Sequence, residues 1–162
     1  FKEGEDLISA IEEQIERKIS LGNEYYMADA INILLDRGKK MRTEKVDVWL
    51  DAGTPEALLE TNQFLLEHGR DNMDMINDYD NTIIIPPVNI HPNARVSQSL
   101  LGPNVSLGDG AVIQGSIIKN SIIGEGTHIT NSMLETSIIG HNVTVSGQTG
   151  KLNLGDNSWA VK

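Results

Sequence analysis

Between Ser116 and Gly140 the chain reads SIIKNSIIGEGTHITNSMLETSIIG, a unit that returns every five or six residues. That spacing suits neither a helix of 3.6 residues per turn nor a simple alternating strand, and internal repeats take precedence over local propensity in fixing a fold. Marking the second apolar residue of each unit gives Ile90, Val96, Leu101, Leu107, Ile113, Ile118, Ile123, Ile129, Leu134, Ile139 and Val145, with every step five or six residues. Taken three at a time these positions fall into columns. Ile90, Leu107, Ile123 and Ile139 form one, Val96, Ile113, Ile129 and Val145 a second, and Leu101, Ile118 and Leu134 a third, each stepping by 16 or 17 residues.

A three-sided coil explains the columns. Each side is a short strand with one aliphatic residue pointing inward, and successive coils stack about 4.8 Å apart by parallel pairing. Two residues before the marked positions the side chains are mostly small: Ala94, Ser99, Ala111, Ser116, Ser121, Thr127, Ser132 and Ser137. Glycine follows the marked residue at 102, 108, 124 and 140, where a corner of positive φ would favour Gly or Asn. The expectation is a parallel β-helix of about four coils over residues 81–162. The irregular tail SGQTGK and the terminal Trp159 would then form a cap over the last coil. A β-sandwich of short strands is the competing architecture, but it predicts no aligned columns.

Residues 1–80 follow different rules. Leu7, Ile8, Ile11, Ile15 and Ile19 recur at helical spacing. A second helix carries Ala30, Ile31, Leu34 and Leu35 and should end at Gly38. Val46, Val48 and Leu50 alternate as in a short strand, with Trp49 expected in the core. Thr54 and Pro55 then read as an N-cap followed by a first-turn proline, opening a helix through Leu58, Leu59, Phe64, Leu65 and Leu66 to Gly69. Asp71–Asn81 reads as an acidic connection with room for a short helix.

A formal charge of −10 and a pI near 4.7 argue against nucleic-acid binding, since the densest basic stretch, RGKKMR, lies among acids. Apolar runs of three or four residues predict no membrane span. The chain has no cysteine, which removes disulfides and thiolate metal sites and is compatible with the expected cytoplasmic location. Its first residue is Phe1 rather than Met, which reads as an abrupt start.

The repeats resemble the left-handed hexapeptide β-helix. GNEYYMADAINILLDRG (Gly22–Gly38) and VDVWLDAGTPEALLETNQFLL (Val46–Leu66) are similar to the C-terminal part of sugar-1-phosphate nucleotidyltransferases of the glucose-1-phosphate thymidylyl- and uridylyltransferase type. The second stretch is the more specific, with Trp49, Asp51, Gly53, Thr54, Leu58, Leu59 and Asn62 in register. The resemblance implies an α+β fragment of the family's α/β catalytic domain in residues 1–80, followed by the β-helix. The family's glycine-rich nucleotide loop, its first metal-binding Asp and its catalytic lysine have no counterpart here, so no catalytic residue is expected in this chain. Ala28 stands where the family usually has Thr before Asp29, which removes a helix-start hydroxyl.

The implied chemistry is attack of a sugar-1-phosphate on the α-phosphorus of a nucleoside triphosphate, with Mg2+ offsetting charge repulsion. By the same resemblance Asp51 would be a metal-binding carboxylate, Glu24 would hydrogen-bond sugar hydroxyls, and Gly53 would allow close backbone approach to substrate. The alternatives are a loop acid capping the next helix for Asp51, an exposed acid for Glu24 and simple turn geometry for Gly53. Asp29 reads as structural. The partners expected are a sugar-1-phosphate, a nucleoside triphosphate and further copies of the chain. Two other functions stay open. One is an acyltransferase built on the β-helix with His91, His128 or His141 as base, disfavoured because no step between Ile90 and Val145 leaves room for a projecting loop. The other is a non-catalytic oligomerisation scaffold.

Overall fold

The computed structural model describes residues 4–72, 74 and 79–162. By its internal packing the chain divides into Phe1–Val48 and Trp49–Lys162. The smaller unit holds α1 (Gly4–Glu16) and α2 (Met27–Asp36). α2 ends as its sequence predicts. Gly38 takes φ +78°, its N–H donates to Leu35 O, and Lys39 N–H reaches back to Leu34 O. Two orphan carbonyls of the last turn are thereby satisfied.

The apolar stripe of α1 differs from expectation. The buried face is Ala10 and Gln14, with Leu7, Ile11 and Ile19 packed beside it, while Ile8 and Ile15 are exposed. Gln14 displaces Ile15 because its side-chain amide donates to Ile19 O at 3.2 Å and Tyr26 O at 3.1 Å. A buried amide that satisfies two loop carbonyls holds the turn into α2 in a way that a methyl group could not.

The expected strand at Val46–Leu50 does not form. Residues 39–54 carry no regular structure and are exposed, and Trp49 is 84% exposed rather than in a core. A single strand is not stable without a partner to complete its hydrogen bonds, and among the described residues none pairs with this segment.

In the larger unit α3 (Pro55–Leu65) starts as expected, with Thr54 accepting from Ala57 N–H and Pro55 in the first turn. It runs into a wider turn over Leu66–Arg70 that is broken by Gly69 at φ +83°. The short helix expected within Asp71–Asn81 falls in part on residues 73 and 75–78, which lie outside those described.

The β-helix follows as three five-stranded parallel sheets. The first contains β1 (Ile83–Ile84), β4 (Leu100–Leu101), β7 (Ile117–Lys119), β10 (Met133–Glu135) and β13 (Thr149–Gly150). The second contains β2 (Val88–Ile90), β5 (Val105–Leu107), β8 (Ser121–Ile123), β11 (Ile138–Ile139) and β14 (Asn153–Leu154). The third contains β3 (Arg95–Ser97), β6 (Val112–Gln114), β9 (His128–Thr130), β12 (Thr144–Ser146) and β15 (Trp159–Val161). That makes about five turns rather than four.

The predicted columns are the observed ladders. Leu107 pairs with Ile123 and Ile123 with Ile139, and Ile113, Ile129 and Val145 stack likewise. All six are buried. The extra turn comes from both ends. Ile84 begins the first ladder below Leu101, and Gly150, Leu154 and Ala160 continue the three ladders above Leu134, Ile139 and Val145. The tail thus winds as a further coil, and Trp159 lies on its outer surface.

The small residues at the corners do more than fit. Ser116 Oγ donates to Gln114 O at 2.8 Å and accepts from Ser132 N–H at 3.1 Å, one coil above. Ser132 repeats the arrangement with Thr130 O and Gln148 N–H, Ser121 with Lys119 O and Ser137 N–H. Thr127 accepts from Val143 N–H. Each hydroxyl supplies an acceptor to an amide that the corner turns away from the sheet ladder.

Gly108, Gly124 and Gly140 also have a different cause from the one expected. None has positive φ. A Cβ on Gly124 would run into the carbonyl of Gly140, and one on Gly108 would come within 2.7 Å of Glu125 N. These glycines are required by the close stacking of coils. The left-handed corners are occupied instead by Asn104, Asn120, Asn131, Asn142, Gly110, Gly115 and Gly126, and by Thr136.

Candidate functional site

Asp51 and Gly53 lie together in the exposed turn that leads into α3. Asp51 Oδ1 accepts from Ala52 N–H at 2.8 Å and from Gly53 N–H at 3.2 Å, and Asp51 O accepts from Thr61 Oγ1 at 2.6 Å. The carboxylate is therefore fixed by its own turn, and the turn is fixed to the second coil of α3. For its other oxygen, Oδ2, no hydrogen-bond partner is found among the described residues. A Cβ on Gly53 would stand 3.5 Å from both carboxylate oxygens, an ordinary contact, so the glycine keeps the approach to Asp51 open without being demanded by the backbone.

Among the described residues no group of three or more His, Asp, Glu or Cys side chains converges on one point. As a lone carboxylate, Asp51 fits the role of one ligand to an Mg2+ that draws its remaining oxygens from phosphate and water, which is how that ion is usually bound.

Glu24 belongs to the smaller unit. It pairs with Leu21 across a tight turn, and its Oε2 accepts from Tyr26 OH at 2.8 Å. That hydrogen bond, with some burial, holds the Tyr26 phenol above its ordinary pKa. Glu24 is exposed.

One groove in the larger unit was not anticipated from sequence. It has a volume of about 480 Å³ and runs between α3, which supplies Glu56, Leu59, Glu60 and Gln63, and a corner column of Asn104, Asn120 and Thr136. Its floor is built by docking of α3 on the second sheet, where Ser106 Oγ donates to Asn62 Oδ1 at 2.6 Å and Asn62 Nδ2 reaches Asn104 O at 3.4 Å. Glu56 is bound by Lys151 Nζ at 2.9 Å, which lowers the Glu56 pKa. Asn104 donates to Asn120 Oδ1, and its own Oδ1 is buried without a partner. That oxygen is shielded from the groove surface, so the groove presents carboxylates and amides to solvent but no enclosed ligand cradle.

The three histidines of the coils do not gather. His91 Nδ1 lies 3.1 Å from Asp109, His128 Nδ1 lies 3.1 Å from Gly126 O, and His141 sits 4.0 Å from Glu125, all with exposed side chains. From β2 to β12 no connection between strands exceeds four residues, so no loop projects from the coils to shelter a histidine.

The GMPPB C-terminal domain family model matches residues 84–151, which is most of the β-helix. Over 116 residues the chain is 28% identical to a glucose-1-phosphate thymidylyltransferase of Streptomyces griseus, a match that covers 61% of this chain. The two matches make this chain similar to the C-terminal part of sugar-1-phosphate nucleotidyltransferases. The chain spans about a third of the length of that curated relative, 33%. A mutant perosamine N-acetyltransferase from Caulobacter crescentus, solved with CoA and GDP-perosamine, aligns over 62% of each chain at 15% identity, with a TM-score of 0.19. A likeness at that level supports no functional transfer to the chain.

No helix among the described residues is long and apolar enough to cross a membrane.

Proposed function

We propose that this chain is the C-terminal portion of an enzyme that joins a nucleoside triphosphate and a sugar-1-phosphate into a nucleoside-diphosphate sugar, releasing pyrophosphate. In this reading residues 1–80 complete the catalytic domain, and residues 81–162 form a left-handed β-helix that serves assembly and regulation. The observation that carries it is the similarity to the thymidylyltransferase over 116 residues, more than the β-helix alone can supply. The exposed Asp51–Gly53 turn on a capped helix agrees with it.

Within the reaction Asp51 would hold Mg2+ through Oδ2, with Oδ1 kept in place by the Ala52 and Gly53 amides. The ion would offset the charge of the phosphates as the sugar phosphate approaches. Glu24 would accept hydrogen bonds from sugar hydroxyls, and its bond from Tyr26 would set its orientation. A cytoplasmic enzyme is the matching location.

Pyrophosphate release assayed with sugar-1-phosphates and each triphosphate tests the assignment. The chain by itself is expected to be inactive, because neither a glycine-rich phosphate loop nor a catalytic lysine motif occurs in it. In the full-length enzyme Asp51→Asn is expected to remove most of the Mg2+-dependent rate while leaving the fold intact. Turnover by the isolated chain, or near-normal turnover by the Asp51→Asn enzyme, would contradict it.

A further inference from the structure

We infer that Asn62 is a positioning residue, through which the β-helix holds the turn that carries Asp51, a role that rests on the reaction proposed above where it concerns Mg2+. Thr61 and Asn62 are consecutive residues of α3, about 100° apart around the helix axis, and so face different ways. Thr61 Oγ1 donates to Asp51 O at 2.6 Å, outside the helix. A threonine within a helix commonly turns its hydroxyl back to the carbonyl three or four residues before it. Here the hydroxyl instead fastens the Asp51 turn to the body of α3, beyond the covalent link through Gly53 and Thr54.

Asn62 faces the coils. Its Oδ1 accepts from Ser106 Oγ at 2.6 Å, and its Nδ2 donates to Asn104 O at 3.4 Å. Both partners are held in place. Ser106 is the central residue of β5, paired with Asn89 of β2 on one side and Ile122 of β8 on the other. Asn104 O also accepts from Ser121 N–H at 3.1 Å, and Asn104 N–H donates to Pro87 O at 2.8 Å. The Asn104 side chain donates in turn to Asn120 Oδ1 at 3.0 Å. The Asn62 amide thus ends on a stretch of β-helix pinned by both neighbouring coils.

The other ties of α3 are weaker. Lys151 Nζ lies 2.9 Å from Glu56, but both side chains are more than half exposed, and a pair of that kind contributes little. α3 also approaches β8, and apolar packing is non-directional, so it resists separation more than sliding. Among the described residues the hydrogen bonds of Asp51 run to Ala52, Gly53 and Thr61. A continuous path therefore leads from the second sheet to the carboxylate: Ser106, Asn62, Thr61, Asp51. Mg2+ demands ligands at 2.0–2.1 Å in near-octahedral geometry. A turn that drifts with an unanchored helix would lose affinity for the ion before it lost its own shape.

Backbone 15N relaxation of the full chain and Mg2+ titration of the full-length enzyme test this role. In the wild type the Ala52 and Gly53 amides are expected near the rigid-backbone order parameter of about 0.85. Ser106→Ala and Asn62→Leu should each lower them toward about 0.6, with Gly124 in the coils unchanged. Ser106→Thr keeps the hydroxyl and should keep the wild-type values. Thr61→Val cuts the path at its other end and should give the same loss. Combining Thr61→Val with Asn62→Leu should lose no more than either alone, because both lie on one path. In the full-length enzyme Ser106→Ala should raise the Mg2+ concentration for half-maximal rate about 10-fold, with kcat at saturating Mg2+ within about two-fold of wild type. A merely structural defect would instead depress the rate at every Mg2+ concentration. Low order parameters at Ala52 and Gly53 already in the wild type, values unchanged in both Ser106→Ala and Asn62→Leu, additive losses in the pair, or an active enzyme with an unaltered Mg2+ requirement would overturn the inference. The relaxation measurements need neither substrate nor ion, so failure there counts against Asn62 alone, whereas an enzyme that releases no pyrophosphate counts against the proposed reaction.

Discussion

Replacing Ser116 by alanine tests whether the small corner residues are selected for their hydroxyls or only for their size. Ser116 is 1% exposed, and so is Ser132 directly above it. The hydroxyl makes two hydrogen bonds, and their losses are unequal. Gln114 O, which accepts from it, also accepts from Asn131 N–H at 3.0 Å and stays satisfied. Ser132 N–H has the Ser116 hydroxyl as its acceptor and would be left unpaired in the interior. A buried, unsatisfied amide costs about 1–3 kcal/mol, and the volume lost is a single oxygen. The expected destabilisation is about 2 kcal/mol, which for a chain of this size lowers Tm by roughly 4–8 °C. Ser132→Ala should cost less, about 1 kcal/mol, because the amide it orphans, that of Gln148, is only half-buried and water can reach it. Thermal unfolding followed by circular dichroism reads both variants. If size alone mattered, alanine would be neutral at both positions, as Ala94 and Ala111 are native at other corners. Shifts below about 1 °C in Ser116→Ala would refute the role given to the hydroxyl.

Three further outcomes follow from the coils and the α3 groove. Gly124→Ala should cost about 3 kcal/mol, since its Cβ would meet the Gly140 backbone, whereas Gly155→Ala, with nothing within 4 Å, should stay within about 0.5 kcal/mol of wild type in the same melt. Thr136 is β-branched yet sits at φ +54° in the column of Asn104 and Asn120, so Thr136→Asn should stabilise by about 1 kcal/mol, and a lower Tm would contradict the strain assigned to it. Lys151→Met should return the Glu56 carboxyl toward its ordinary pKa as read by NMR titration. Because Lys151 lowers that pKa in the folded chain, its contribution is complete above the ordinary carboxylate range and fades as pH falls through the lowered value, and an unchanged titration would exclude the ion pair in solution.

The β-helix was legible because each coil repeats its neighbour's inward residue, so Leu107, Ile123 and Ile139 announce one ladder from sequence alone. The outer coils were harder to read for a physical reason. Gly150 occupies a ladder position without a side chain, and Ala160 fills another with a methyl group, so the apolar signal fades although the pairing continues. Hydropathy could not place Gln14 inside α1's packing, since its burial depends on carbonyls at Ile19 and Tyr26 that only the fold brings near. Alternation at Val46–Leu50 had the local pattern of a strand, but strand formation is decided by a neighbour and none is paired with it among the described residues. Asp51, Gly53 and Glu24 emerged from family resemblance, and the structure adds the hydrogen bonds that orient the two acids. The groove beside α3 left no sequence signal, because its walls come from residues separated by more than 40 positions, as Asn62 and Ser106 show.

The account depends most on side chains 16 residues apart lying in contact inside one three-sided prism. Methyl-to-methyl nuclear Overhauser effects on the full chain measure this directly. Leu107 with Ile123, Ile123 with Ile139, and Ile113 with Ile129 should each give strong cross-peaks, as expected for stacked coils about 4.8 Å apart. Absence of these cross-peaks in a folded sample, or strong contacts of Ile123 with residues that the coil places on its outer faces, such as Met133, would contradict the parallel β-helix.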